Sequence, residues 1–143
     1  MRPLFGIILI LAGLLTGCAQ RGLNQIQGAD APMDAAPTPS LSYSVNGVDP
    51  LGTEYGGNLL VSPGNAPGTY HLQWIITGNV QEGEGYFEGN QFLTRWRTIE
   101  GLGIAVSGVT TYTMTTLGEL YGQRAADGLP GVGTENAFPN DSP

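Results

Sequence analysis

From Leu41 onward, hydrophobic and polar residues alternate at every second position in several segments of the chain. These segments are LSYSVNGVD, TYHLQWIIT, NQFLTRWRT and GELYGQR, and a further segment, VTTYTMTT, is rich in β-branched residues. A period of two is typical of a β-strand with one buried face, and no segment shows the 3.6-residue period of a helix. Glycine, asparagine and proline clusters between the segments indicate turns. The pattern predicts an all-β domain over residues 41–139, a small antiparallel meander of about seven or eight short strands.

Glycine is also frequent inside the predicted strands, at Gly56, Gly57, Gly83, Gly85, Gly108 and Gly122. Glycines within strands commonly mark bulges and sharp bends, which a small sheet needs in order to curl. A sheet with one buried face must pack on a second sheet or close on itself. We therefore expect a curled sheet or closed barrel rather than a flat sandwich. The chain also lacks the Cys…Trp…Cys pattern of immunoglobulin domains.

The N-terminus carries a different signal, a single positive charge at Arg2 followed by the uncharged apolar run LFGIILILAGLL. The run has the length of the apolar region of a secretory signal and is shorter than the roughly 20 residues of a membrane-spanning helix. It ends at Leu15-Thr16-Gly17-Cys18, which holds the only cysteine of the chain. This stretch resembles the lipobox of bacterial lipoproteins. The alternative is a small cysteine buried in an ordinary N-terminal helix.

The lipobox resemblance implies that residues 1–17 are a signal peptide and that Cys18 carries a covalent lipid. Acyl chains contribute about 0.8 kcal/mol of membrane affinity per buried CH2 group. The resemblance also implies a lipid-anchored protein of the bacterial cell envelope. Ala19 follows the cysteine where an Asp commonly signals inner-membrane retention, so the outer membrane is favoured, with the domain facing the periplasm. With no second cysteine, no disulfide forms within the chain.

Residues 18–40 mix Ala, Gln, Asp, Gly and Pro without a sustained period, and Pro32, Pro37 and Pro39 interrupt regular hydrogen bonding. We expect a lipidated N-terminus followed by a disordered tether over this range. A tether of 22 flexible residues would span about 26 Å. Residues 140–143 are predicted to be a disordered tail.

Residues 69–139 also resemble a group of small bacterial envelope domains that are rich in glycine and aromatic residues. The matching positions are Tyr112, Gly118, Leu120, Gly122, Gly131, Gly133 and Glu135. In those domains an aromatic residue often follows the second of these strand glycines by two places, and this chain has Arg124 there. The general plan is similar to avidin-like and lipocalin-like barrels, although a fold does not by itself specify a function.

Charge and motifs exclude several kinds of chemistry. The 143 residues include 12 acidic and five basic ones, for a net charge of −7, which argues against a nucleic-acid partner. His71 is the only histidine and is predicted to lie on the solvent side, so we expect no zinc or copper site. No nucleophile elbow accompanies it, and the Gly-x-Gly sequences at 101–103 and 131–133 lack the rest of a nucleotide-binding loop. We expect no cofactor apart from the lipid on Cys18.

Three closely spaced acids, Glu82, Glu84 and Glu88, would share one face of a strand. A calcium site or a glycosidase pair is one interpretation of them. We favour a solvated acidic face that guards a strand against aggregation. An enzyme that uses these carboxylates remains the second alternative function.

Five aromatic residues are the candidate ligand-lining positions: Tyr70, Trp74, Phe92, Trp96 and Tyr112. An eight-stranded barrel is just wide enough to be filled by side chains or to hold one small ligand. We favour a filled core. The sequence thus predicts a non-catalytic binding or scaffold module whose partner is an envelope protein, a polymer or a lipid. The first alternative is a barrel that binds a small apolar molecule.

Overall fold

A computed structural model of the protein describes residues 27–35 and 37–140. This part of the chain contains eight β-strands and no helix, so none is present there that could cross a membrane. The strands are β1 (Ser42–Val48), β2 (Glu54–Pro63), β3 (Thr69–Ile76), β4 (Asn79–Glu88), β5 (Gln91–Gly101), β6 (Ser107–Met114), β7 (Leu120–Ala126) and β8 (Gly133–Pro139).

Each strand pairs antiparallel with the next along the chain, and β1 pairs with β8 to close a barrel. The closing register runs from Tyr43 opposite Pro139 to Val48 opposite Thr134. The prediction of an all-β antiparallel meander with seven or eight strands is confirmed, and of its two variants the closed barrel is the one that forms. Closure removes the unpaired strand edges that an open sheet of this size would expose.

The two ends of the barrel are built from different loops. The latch end carries the loops of residues 64–68, 89–90 and 115–119, and the rim end carries those of residues 49–53, 77–78, 102–106 and 127–132. The chain enters β1 and leaves β8 at the latch end. The described segment before β1 and the rim end therefore lie on opposite sides of the domain.

Large aromatic side chains fill the interior because glycines on neighbouring strands leave room for them. Gly108 lies opposite Trp96 in the register, and a Cβ at Gly108 would come within 2.5 Å of Trp96 Cζ2. Gly122 lies opposite Tyr112 in the same way, and a Cβ there would overlap the tyrosine ring. These strand glycines make close packing possible in a narrow barrel. Around the rings, the core contains Tyr43, Val45, Leu59, Val61, Leu72, Met114, Leu120 and Ala137.

The segment before β1 closes the latch end. Ala31 N donates to the carbonyl of Met114 at 2.9 Å, and Thr116 N donates to the carbonyl of Ala29 at 2.7 Å. Asn90 Nδ2 donates to the carbonyl of Ala31 at 2.7 Å, and Ala31 itself is buried. We call residues 28–31 the latch.

The latch differs from the disordered tether that the composition predicted for residues 18–40. Its residues are held by backbone pairing with the loop of residues 115–119, which a composition of Ala, Asp and Pro does not reveal. Pro39 is also buried. At the other terminus, Asn140 N donates to the carbonyl of Ser42 at 3.0 Å. The predicted signal peptide, Cys18, the tether up to residue 26 and residues 141–143 lie outside the described residues.

Candidate functional site

Four of the five candidate ligand-lining residues lie in the closed interior of the barrel. Trp74, Phe92 and Tyr112 have no exposed surface, and Trp96 is 4% exposed. Tyr70 is half-buried, and its ring meets Phe92 edge-on at 5.8 Å. The five residues divide into an aromatic stack that contains Tyr70 and Phe92 and a group of three rings around a polar cluster.

The centre of that cluster is Glu135, a fully buried carboxylate on β8. It accepts hydrogen bonds from Tyr55 Oη at 2.5 Å, from Trp74 Nε1 at 2.8 Å and from the Tyr112 hydroxyl. Arg124 Nη1 supplies a fourth at 2.9 Å and balances the negative charge. A buried carboxylate is tolerated when it is paired and fully hydrogen-bonded, and Glu135 meets both conditions.

Arg124 sits between aromatic rings beside this carboxylate. Its guanidinium carbon lies 4.0 Å from the centroid of Trp96 and 5.4 Å from that of Trp74, within the range of a cation–π interaction. A second guanidinium nitrogen donates to Gln81 Oε1. Position 124 is where the similar envelope domains often have an aromatic residue, and the arginine of this chain stacks on one.

Burial also determines the protonation of the two tyrosines that contact Glu135. Burial, and then the negative charge of Glu135, raise the pKa of Tyr112 well above its ordinary value of 10.0. The same two causes, in the same order, raise the pKa of Tyr55. Both hydroxyl groups therefore remain protonated and act as donors to the carboxylate.

The interior cluster is complete without a ligand. Its members come from β2, β3, β4, β6, β7 and β8, so it links strands around most of the barrel. The protein's own donors occupy both carboxylate oxygens. The arrangement can hold the barrel closed and fix its register, because a shift of one residue would turn these side chains outward.

The side of the barrel formed by β3, β4 and β5 presents charged side chains to solvent. Glu82 pairs with Arg97, and His71 Nδ1 lies 3.8 Å from Glu84. His71 is on the solvent side, as its position in the alternation predicted, and Glu82 and Glu84 share the outer face of β4. Glu88 is exposed at the end of that strand. Within residues 27–35 and 37–140, no group of His, Cys, Asp or Glu side chains could hold a metal ion.

The rim end exposes branched apolar side chains from three separate loops. Leu102 and Ile104 are 98% and 91% exposed. We define the apolar rim as these two residues together with the exposed Leu51, Leu129 and Val132. Exposed apolar residues that gather in one place commonly mark an interaction surface, whereas scattered ones do not.

Hydrogen bonds hold the rim loops in shape. Asp49 Oδ1 accepts from the backbone N–H groups of Leu51 at 2.9 Å and Thr53 at 2.8 Å. Leu102 N donates to the carbonyl of Gly78, and Leu129 N donates to that of Ala126, both at 3.2 Å. The apolar side chains are therefore presented by ordered turns rather than left over from unfolded segments.

The rim is bordered by negative charge. Asp49, Glu54, Glu100 and Asp127 lie in or beside its loops, and residues 48–54, 76–80, 98–107 and 125–134 contain no Lys, Arg or His. Of these acids, Asp127 pairs with Arg95 of β5 at 3.2 Å. Sequence reasoning missed this surface because it treated the glycine-rich turns only as connections. The available signal was the presence of Leu, Ile and Val in turns, where polar residues are usual.

Comparisons with models of protein families, with curated proteins and with solved structures found no match to this chain.

Proposed function

We propose that this protein is a lipid-anchored, non-catalytic binding module of the cell envelope, and that the apolar rim is its contact surface. The observation that carries the proposal is that five exposed Leu, Ile and Val side chains lie on three loops at the same end of a closed barrel. Truly isolated apolar residues need no explanation, but a cluster on ordered loops needs a partner that covers it.

The packing of the interior favours an external contact over an enclosed ligand. Trp74, Phe92 and Tyr112 are fully buried against their neighbours, and Arg124 and Glu135 occupy the space between them. A small barrel of eight strands is compatible with ligand binding. An apolar molecule inside this one would have to displace a fully bonded ion pair, which is energetically costly.

The position of the latch supports a defined orientation. If Cys18 carries a lipid, only residues 18–26 separate the acylated terminus from the described part of the chain. Those nine residues reach about 30 Å when fully extended. The latch end would then stay near the lipid surface, where Met33, Leu41 and Leu117 are exposed, and the rim would face away from it.

The charge around the rim indicates which partner fits. An anionic bilayer attracts basic segments, and Asp49, Glu54 and Glu100 beside the rim would be repelled by it. A protein that presents apolar side chains flanked by Lys or Arg would complement both features. We infer that the partner is a protein of this kind.

Photo-crosslinking in the host with the full-length protein tests the proposal. A photoreactive residue at Leu102 or Leu129 should capture one and the same protein, and the control positions Gln73 and Leu117 should not capture it. The substitutions Glu54→Gln and Glu100→Gln together should reduce the yield, because they remove charge without removing apolar surface. Crosslinks from the rim to phospholipid alone, or equal capture from Gln73, would contradict the proposal.

A further inference from the structure

A second surface lies on the other side of the barrel from the charged strands, across β6, β7 and β8. Here the outward side chains form a shallow groove of about 540 Å³. Groove volumes of about 300–1,000 Å³ are typical of small-molecule sites. Six residues on β6, β7 and β8 line most of it with their side chains: Thr111, Thr113, Tyr121, Gln123, Thr134 and Asn136.

The strand register arranges these side chains in two rows. Thr113, Tyr121 and Asn136 lie opposite one another on adjacent strands, and Thr111, Gln123 and Thr134 form the second row. Gly122 lies between the rows and contributes only backbone to the floor. Residues on one face of a strand are about 7 Å apart and neighbouring strands about 4.8 Å apart, so the rows present a regular grid of polar atoms.

The groove is lined entirely by uncharged groups, in a chain with 12 acidic residues. Burial and the nearby Glu119 raise the pKa of Tyr121, so its hydroxyl is neutral as well. The charged side of the barrel differs in this respect, because each of its carboxylates Glu82 and Glu84 lies beside a basic side chain. A charged ligand would find no counter-charge among the groove side chains.

Hydroxyl and amide side chains can both donate and accept hydrogen bonds, which matches ligands whose own groups do both. Gln91 Nε2 donates to Thr113 Oγ1 at 3.0 Å at one end of the groove. Gln123, Thr134 and Asn136 line the rest of the groove, and the first two are exposed. Phe138 packs edge-on against the ring of Tyr121 at 6.0 Å and holds this apolar face in place.

We propose that this groove binds a neutral, hydroxyl-rich glycan, with Tyr121 as the platform for a sugar ring and the two polar rows as its hydrogen-bonding partners. The site is separate from the apolar rim and uses different strands and loops. Glycan binding in the groove therefore does not depend on a protein partner at the rim. The protein can bind a carbohydrate in the groove and a partner at the rim at the same time.

The test uses the full-length protein in detergent and two uncharged probes, the β-1,4-linked tetramers of N-acetylglucosamine and of glucose. Titration followed by NMR should shift the backbone amides of Tyr121, Gln123 and Thr134 with at least one probe. The variant Tyr121→Ala should weaken binding by about tenfold, and Tyr121→Phe should retain most of it, since the aromatic face remains. The matched control Gln73→Ala, an exposed glutamine on β3, should leave the affinity unchanged.

Melting temperatures of all variants establish that each is folded, which is expected because the substituted side chains lie at the surface. A second assay, sedimentation of the protein with insoluble polysaccharide, distinguishes the source of the glycan. If the protein binds the tetramers and also sediments with the polysaccharide, the groove is a site for polymer chains. If it binds the tetramers alone, the groove is a site for free oligosaccharides. The proposal is overturned if neither tetramer shifts the groove amides at about 10 mM, a concentration above the dissociation constant of weak millimolar binding. It is equally overturned if Tyr121→Ala binds as the native protein does.

Discussion

Arg124 Nη1 and Glu135 Oε2 lie 2.9 Å apart inside the barrel, on adjacent strands, with 4% and none of their side-chain surface exposed. Each ion would be strongly unfavourable alone in this position. Together with Tyr55, Trp74, Tyr112 and the Gln81 amide, they form a cluster with no net charge inside the barrel.

Removing one partner of this pair should be far more damaging than removing both charges. We expect Arg124→Met to lower the free energy of unfolding by about 3–5 kcal/mol, since it leaves a buried carboxylate without its cation. Adding Glu135→Gln should restore part of the loss, because it removes the unpaired buried charge and the amide oxygen, placed at the Oε1 position, still accepts from Trp74 and Tyr112. Urea denaturation of both single variants and the double variant measures the coupling, and simple additivity would show that the two charges do not depend on each other.

The buried tyrosines predict a loss of stability in alkali. The pKa values of Tyr55 and Tyr112 are raised in the folded state, so above the ordinary pKa of 10.0 the unfolded chain loses protons that the folded chain keeps. The stabilisation is complete below pH 10 and declines as the pH rises towards the folded-state pKa values. The slope should approach about 1.4 kcal/mol per pH unit for each tyrosine. Between pH 9 and 11, the free energy of unfolding of Tyr55→Phe should decline less steeply with pH than that of the native protein. An identical decline would show that Tyr55 does not contribute to the loss of stability.

The two tryptophans should respond differently to removal of the indole N–H. Trp74 Nε1 donates to Glu135, whereas among the described residues no partner reaches the buried Nε1 of Trp96. Trp74→Phe should therefore lower the free energy of unfolding by about 1 kcal/mol more than Trp96→Phe does. Trp74→Ala should cost about 3–5 kcal/mol through lost packing as well. Thermal melting of the three variants checks the order, and a stable Trp74→Ala protein would mean that its ring is not part of the core.

The latch should contribute measurably to stability. A chain that begins at Gln27 keeps the hydrogen bonds between the latch and the loop of residues 115–119. A chain that begins at Leu41 lacks the latch and loses these hydrogen bonds. We expect the shorter chain to be less stable by about 2–6 kcal/mol, at about 0.5–1.5 kcal/mol for each of four hydrogen bonds: the three described above and that from Gly28 N to Glu119 Oε2 at 2.8 Å. Denaturant midpoints compare the two. Equal midpoints would indicate that residues 27–40 behave as the flexible tether that their composition suggests.

Lipid attachment at Cys18 has a direct test. The variant Cys18→Ser lacks the thiol that would take the lipid, so it should incorporate no labelled fatty acid and should accumulate as an uncleaved precursor. Gel mobility and radiolabelling in the host measure both effects. Labelling of the serine variant at the native level would exclude the lipobox interpretation.

The alternation of residue types was enough to locate most of the strands. TYHLQWIIT contains β3, NQFLTRWRT includes the first eight residues of β5, and the solvent-side position of His71 followed from the same pattern. This information is local, because a side chain two positions along a strand faces the same way whatever the strand pairs with. The alternation also placed Trp74 and Trp96 on the inward stripe.

Closure, the ion pair and both surfaces depended on the tertiary structure. Tyr43 meets Pro139 and Tyr55 meets Glu135 across long separations in the chain, and no local period encodes such contacts. Arg124 and Glu135 are eleven residues apart, and either one alone in the sequence reads as an ordinary surface charge. The apolar rim joins loops whose residues range from Leu51 to Val132. The sequence by itself determined which residues form strands and which face inward. The closing of β1 on β8 decided which of those residues meet, because it brings together positions that a local pattern treats as independent.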